Sequence, residues 1–206
     1  MNVLVACEFS GIVREAFAKR GHDAWSCDLL PTEIPGQHIQ GDVLEILKDS
    51  WDLMIAHPPC THLAVSGARY FEVKKLDGRQ EEAINFFLAL ANAPIDKICI
   101  ENPVCIMSTV WKPPSQIIQP YQFGDEASKT TCLWLKNLLK LRYGKEVQMA
   151  LGELKPPQTE IVNKGEFITY GNNKRMAKWM FDAWGDGHTR SKTFQGIADA
   201  MAEQWG

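Results

Sequence analysis

Residues 51–67, WDLMIAHPPCTHLAVSG, run an apolar stretch directly into His57-Pro58-Pro59-Cys60-Thr61-His62. Proline has no amide donor and fixes its own backbone, so Pro58-Pro59 ends a strand and holds the next residue in a defined place. That residue is a cysteine. A free cysteine is only a few per cent thiolate at neutral pH, yet it is intrinsically the best nucleophile among protein side chains. A second apolar run, KICI at 97–100, ends in Glu101-Asn102-Pro103. A cysteine and a carboxyl group at adjacent strand ends form a chemical pair, nucleophile and acid. The competing reading of a lone cysteine is inert core, and most of the other five, Cys7, Cys27, Cys99, Cys105 and Cys132, are read that way. His57-x-x-Cys60-x-His62 has the spacing of part of a metal site, but zinc sites generally want four ligands and no compact second cluster accompanies it, so no metal is expected.

Such a pair needs a scaffold that brings strand ends together. NVLVAC at 2–7 is a short apolar run closed by Glu8-Phe9-Ser10-Gly11, and IVREAFAKRG follows with helical spacing and a Gly21 stop. DAWSCD at 23–28 reads as a second strand ending on an acid, and Gly41-Asp42 precedes a short helix, VLEILKD. The strand DLMIAH, the helix RQEEAINFFLALANA and the strand KICIE come next. This alternation predicts an α/β fold, a mainly parallel sheet with helices on both faces. Ligands in such folds bind at the carboxyl ends of the strands, where the unusual residues fall. From about residue 104 the pattern changes, and KPPSQIIQPYQFG and KPPQTEIVNKGEFITYG read as antiparallel edge strands and loops. Residues 172–184 read as a basic, aromatic helix and GIADAMAEQWG as the closing one.

Composition narrows the class. A chain of 206 residues, 45% hydrophobic and 23% charged, fits one globular domain. No apolar run is long enough to span a bilayer and MNVLVA lacks the features of a signal peptide, so a soluble, cytoplasmic protein is expected. Dispersed cysteines do not resemble a secreted disulfide framework. A net charge of -3 argues against bulk coating of nucleic acid, but residues 129–192 hold twelve Lys/Arg against six Asp/Glu. That stretch is either a solvated face or a phosphate-facing one. Trp179 and Trp184 beside Lys174, Arg175 and Lys178 are likewise either core aromatics or a stacking platform. His22, His38 and His188 are read as surface or loop residues.

The motifs, taken in order, resemble those of the DNA (cytosine-5) methyltransferases. Pro58-Pro59-Cys60 resembles that family's Pro-Pro-Cys after a strand, and Glu101-Asn102-Pro103 its Glu-Asn-Val. Phe9-Ser10-Gly11 resembles the Phe-x-Gly of its cofactor loop, Asp28 stands where it keeps an acid for ribose hydroxyls, and Gly41-Asp42-Val43 resembles its adenine-contacting segment. The resemblance covers roughly residues 3–103 and returns in the final helix, Thr193 to Trp205. Val13 and Arg14 replace further glycines of the family's first loop, and His57 replaces the glycine before Pro-Pro. The family's Gln-x-Arg-x-Arg is missing; the nearest candidates are Gln119, Gln122 and Lys129. The family's target-recognition insertion is also reduced, as in short methyltransferase-like proteins of bacteriophages.

The resemblance implies a Rossmann-like S-adenosylmethionine-dependent fold: a catalytic core at 1–142, a small substrate-contacting region at 143–188, and a C-terminal helix at 189–206 returning to the core. It implies S-adenosylmethionine contacts from Phe9, Ser10, Gly11, Asp28, Asp42, Val43 and Pro58, and substrate contacts from Asn102, Gln119, Gln122 and Lys129. Cys60 would add to C6 of a cytosine while protonated Glu101 hydrogen-bonds N3, and burial is expected to raise the Glu101 pKa for that task. The implied partner is DNA, with a free pyrimidine nucleotide or single-stranded DNA as the alternative and a protein partner as a source of target specificity; no membrane is expected. Two other classes stay open. A dinucleotide-binding redox protein would want the complete Gly-x-Gly-x-x-Gly that this chain lacks, and a non-catalytic nucleic-acid-binding module would not need both Cys60 and Glu101.

Overall fold

The computed structural model describes residues 1–144, 161–171 and 173–206. The first half builds β1 (Asn2–Ala6), α1 (Ile12–Ala18), β2 (Asp23–Asp28), β3 (His38–Gln40), β4 (Leu53–Ala56), α2 (Phe71–Leu76), α3 (Arg79–Ala91) and β5 (Lys97–Pro103). The second half adds α4 (Met107–Val110), β6 (Gln116–Ile118), β7 (Thr131–Lys136), β8 (Phe167–Tyr170), β9 (Lys174–Ala177), α5 (Lys178–Asp182), α6 (Gly187–Ser191) and α7 (Gln195–Trp205). Seven strands form one sheet in the order β3-β2-β1-β4-β5-β7-β6. Strands β3 to β5 are parallel, and β7 runs antiparallel between β5 and β6. The α/β expectation therefore holds, including the switch to antiparallel strands after residue 104.

Both sheet faces are covered, which is why the central strands are apolar at every position rather than alternating. On one face Val3, Val5, Leu53, Ile55 and Cys99 pack with Phe17 of α1 and Ile197, Met201 and Trp205 of α7. On the other, Leu4, Ala6, Met54, Ile98 and Ile100 pack with Phe87 and Leu90 of α3. The period of two in a strand sends adjacent residues to these two cores. α7 is thus a structural wall of the sheet, and Gln204 pins it by accepting from the Arg142 amide at 2.8 Å and donating to the Arg142 carbonyl at 2.9 Å.

Two local expectations are corrected. VLEILKD makes only a 3-10 turn at Val43–Glu45, capped by Asp42, whose side chain accepts from the Leu44 amide at 2.9 Å. Residues 172–184 are not one helix: Lys174–Ala177 is the strand β9, paired antiparallel with β8, and the helix α5 begins only at Lys178. Gly171 and Asn173 take left-handed backbone angles there, which turns the chain into a hairpin that helical spacing alone does not foresee. The KPPQTE part of the second proline-rich segment lies outside the described residues. Among the described residues no helix is long and apolar enough to cross a membrane.

Gly196 is fixed by close approach. A Cβ on Gly196 would collide with the Phe123 carbonyl oxygen, and the Gly196 amide donates to Asp125 Oδ2 at 2.9 Å. Gly196→Ala should therefore push the first turn of α7 off the sheet and destabilise the fold by about 1–3 kcal/mol, lowering the melting temperature by roughly 2–12 °C; a scanning calorimetry trace of the variant checks it.

Candidate active site

The parallel pairing of β4 with β5 places Leu53 opposite Lys97 and Ala56 opposite Ile100, so both strands finish at the same edge of the sheet. Beyond β4 the chain passes through His57, buried Pro58 and exposed Pro59 to half-buried Cys60. The Cys60 carbonyl accepts from the amides of Leu63 at 3.0 Å and Ala64 at 2.8 Å, closing a tight turn. That turn is then stitched to the chain after β5: Ile106 donates to Leu63, Val65 donates to Val104, and Ala64 pairs with Cys105. Asn102 completes the join, its Nδ2 donating to the Pro58 carbonyl at 2.8 Å in a buried position. The two motifs expected to meet are tied together by backbone and side chain alike.

Charge in the site differs from expectation in one respect. Burial does push the Glu101 carboxyl up, as the strand KICI suggested, and it is the largest single influence. The His57 hydrogen bond, the positive charge of Lys129 and that of His57 together outweigh it, and Glu101 lies below the ordinary glutamate range. Nδ1–H of His57 donates to Glu101 Oε2 at 3.2 Å, with both side chains nearly inaccessible. Glu101 is therefore a carboxylate before any ligand arrives. Cys60 moves the other way. Burial raises its thiol, and the Glu101 charge raises it further, while Lys129, its own backbone amide and Arg190 pull it down.

The second half of the strand-end row is built around β1. Glu8 is buried, and its Oε1 accepts from the Val13 amide at 2.7 Å and its Oε2 from the Arg14 amide at 3.2 Å; Ser10 Oγ also donates to Oε1, at 3.2 Å. Gly11 supplies the left-handed turn that lets the chain enter α1 above Glu8. Cys7, just before, has a positive φ of 58°, a strained value for a non-glycine residue. Asp28 gives Oδ1 to the Leu30 amide at 2.9 Å. The charges of Asp28 and Asp42 both raise the Cys7 thiol, after burial as the leading cause, which places the ends of β2 and β3 close to that of β1. Val43 is buried beneath its turn.

Arg14 is fully buried and serves the scaffold. It donates to Ser26 Oγ at 3.0 Å, Thr32 Oγ1 at 3.1 Å and the Ile34 carbonyl at 2.6 Å, fastening the loop after β2.

The remaining candidates divide. Lys129 is brought to the pair: its charge acts on both Cys60 and Glu101, and its Nζ donates to the carbonyls of Arg190 at 3.1 Å and Lys192 at 3.3 Å. Gln122 Oε1 accepts from the Gln119 amide at 2.7 Å at the 3-10 turn Pro120–Phe123, and Gln119 Nε2 donates to Thr130 Oγ1 at 2.9 Å. Trp179 donates to the Ser128 carbonyl at 3.1 Å and packs edge-on against Phe194, so it is scaffold, whereas Trp184 is 60% exposed beside Tyr170. The residues missed from sequence are in α6. His188 stacks on Phe9 with ring centroids 4.4 Å apart, and Glu33 binds His188 at 3.2 Å and Lys192 at 2.7 Å. The chain around α6 thereby spans from the Phe9 loop to Lys129. Asp186, which caps this helix by accepting from the Thr189 amide at 3.0 Å, was the available signal.

The Asn102 bond makes a testable statement about the join. Asn102→Ala leaves the buried Pro58 carbonyl without its donor and should cost about 1–3 kcal/mol of stability, read as a lower denaturation midpoint in urea with an unchanged slope.

No protein-family model matches the chain, and no curated protein matches it in sequence. Among solved structures, it is similar to one described as a candidate DNA modification methyltransferase encoded within a prophage (E. coli), with 18% identity and a TM-score of 0.48. The match covers 79% of this chain and 53% of that one, so the chain spans about half the length of that protein.

Proposed function

We propose that the protein is an S-adenosylmethionine-dependent methyltransferase that modifies C5 of cytosine in DNA through a covalent adduct with Cys60. One observation carries this reading: a cysteine held by two prolines and a buried carboxylate, 41 residues apart in sequence, are set side by side at the ends of adjacent parallel strands. A cytosine placed between them meets a sulfur nucleophile for C6 and a carboxyl group for N3. As sulfur bonds to C6, the thiol proton passes to the Glu101 carboxylate, which delivers it to N3 as electron density from the C5–C6 double bond moves there, leaving a neutral enamine. Electron density gathers at C5. After methylation there, loss of the C5 proton and cleavage of the S–C6 bond restore the aromatic ring and free Cys60. Lys129 sits where a cation steadies both the thiolate and the carboxylate.

The cofactor, when bound, supplies the electrophilic methyl group, and the residues at the ends of β1 to β3 fit its chemistry. Dinucleotides place a pyrophosphate on free amides at a helix N-terminus. Here the Val13 and Arg14 amides are already taken by Glu8, which puts a carboxylate where a phosphate would go and suits a sulfonium cation instead. Asp28 has committed one oxygen to Leu30 and keeps the other for a pair of ribose hydroxyls. Phe9, Ser10, Gly11, Asp42, Val43 and Pro58 complete the row, and Asn102 with Lys129 faces the base. Residues 143–188 serve as a small substrate-contacting region, with Lys174, Arg175 and Trp184 exposed on it. A region so short favours phosphate contacts over base reading, and a partner protein or a single-stranded or free pyrimidine substrate would fit its size.

An oligonucleotide carrying 5-fluorocytosine, incubated with the protein and S-adenosylmethionine, should become covalently attached at Cys60, because no proton can leave C5. Cys60→Ser should give no adduct, and Glu101→Gln should slow its formation by roughly 10²–10⁴-fold. Attachment at Cys7, Cys99 or Cys105 instead, read by peptide mass spectrometry, overturns the assignment of the nucleophile.

For the cofactor, calorimetry should show S-adenosylmethionine or its demethylated product binding the wild type, with Asp28→Ala weaker by about 1.5–3 kcal/mol through loss of a charged hydrogen-bond acceptor.

A further inference from the structure

His57 is the residue at this site that the motif resemblance leaves without a role, since a glycine stands there in the motif it resembles. It is not a bystander. Its Nδ1–H meets Glu101 Oε2 at 3.2 Å, both side chains are about nine-tenths removed from solvent, and its Nε2 is buried without a partner. The imidazole has no other hydrogen-bond duty within the described residues, and the carboxylate has no other side-chain donor there.

We propose that His57 is the positioning residue of the site: it holds the Glu101 carboxylate charged and aimed before substrate arrives, and through that charge keeps Cys60 a protonated, unreactive thiol until a base enters. The inference rests on the reading of Cys60 and Glu101 as a reacting pair. Its logic is electrostatic. A negative charge beside a buried thiol opposes thiolate formation, and Glu101 is the second influence on Cys60 after burial. The His57 hydrogen bond is the leading influence that keeps Glu101 ionised against its own burial. Once N3 of a base faces the carboxyl, Glu101 gains a proton and Cys60 loses one, so the proton count of the site is unchanged and the restraint on sulfur disappears as the S–C6 bond forms. The nucleophile is thereby released only when its substrate is in place.

The other charged and titratable groups around the pair come from three elements. Lys129, preceding β7, favours both ionised forms; Arg190 of α6 favours the thiolate; Cys99 on β5 and Cys132 on β7 feel the Glu101 charge, and Cys105 just after β5 feels the Cys60 charge, but all three stay protonated through burial. None of these changes when His57 is replaced.

The sign of the effect follows. Removing His57 takes away the hydrogen bond and charge that lower Glu101, so burial lifts its pKa. Below that raised value Glu101 is neutral and Cys60 is freed; above it Glu101 is charged again and Cys60 is restrained as in the wild type. The test is the rate of Cys60 alkylation by iodoacetamide, followed by peptide mass spectrometry across about pH 5–9 on the full chain, with no nucleic acid or cofactor present. Glu101→Gln should accelerate alkylation about tenfold at every pH, the equivalent of one unit in the thiol. His57→Ala should match Glu101→Gln at the acid end and fall back toward the wild-type rate as pH rises. His57→Gln, whose amide can still donate to Oε2, should stay near the wild type. If His57→Ala does not fold, His57→Phe, a ring without a donor, carries the same expectation.

Equal rates for the His57 variants and the wild type, alongside an accelerated Glu101→Gln, would show that His57 does not hold the carboxylate. Equal rates for Glu101→Gln and the wild type would show that the carboxylate does not restrain the thiol. Either overturns the proposal, and neither depends on whether methyl transfer is ever observed.

Discussion

The parallel register of β4 against β5 is the constraint on which the site depends. Parallel strands end at one edge, so residues far apart in sequence arrive at the same place without any loop having to carry them there. An antiparallel pair would send Cys60 and Glu101 to opposite ends of the sheet. The register alone brings the strand ends level, and the Asn102 bond to the Pro58 carbonyl then fixes the two loops to each other. Because that bond is buried, nothing in solvent competes for either partner, and the position of Cys60 is set by the sheet rather than by loop dynamics.

From that constraint the electrostatics follow. A strand end flanked by covered faces is a poorly hydrated place, and a charge can persist there only with a partner. Glu101 has His57 at contact distance and Lys129 nearby, and it remains charged; Cys60 has a carboxylate nearby and remains a thiol. Burial favours the neutral form of both groups; the neighbours of Glu101 overcome it, and those of Cys60 do not. Under the proposed chemistry, such a site rests in a state different from the one the reaction requires, and an incoming base would change the balance.

Much of this was legible in the residues. Apolar runs ended by Pro58-Pro59 and by Asn102-Pro103 announce strand ends, and alternation with IVREAFAKRG and RQEEAINFFLALANA announces parallel order, because those signals are local. What could not be read was set through space. Arg14 sits in α1, and only the fold reveals that Ser26, Thr32 and Ile34 surround its guanidinium. His188 lies 179 residues from the Phe9 ring on which it stacks. A protonated Glu101 was expected from its apolar strand, and the expectation failed because burial is outweighed by His57 and Lys129, which come from other elements. The hairpin at β8 and β9 escaped for a different reason: Lys174 to Asp182 contains residues compatible with a helix, and the left-handed turn at Gly171 and Asn173 decides against it.

The turn after β1 shows how little is needed to change what a sheet edge accepts. In a parallel α/β sheet the helix following the first strand ordinarily offers unpaired amides, and those amides attract anions. Glu8 consumes two of them from within the chain, using a buried carboxylate that Ser10 also contacts. The partial positive charge of the helix end is thereby neutralised, and the excess at that edge becomes negative. Asp28 and Asp42 at the neighbouring strand ends extend the same sign, and they add to burial, the larger cause, in opposing ionisation of Cys7 between them. An edge of that polarity repels a pyrophosphate and favours a ligand whose charge is positive and whose remaining groups are hydroxyl donors. Glu8, rather than the number of glycines in the loop, gives this edge the polarity that the proposed cationic cofactor would need.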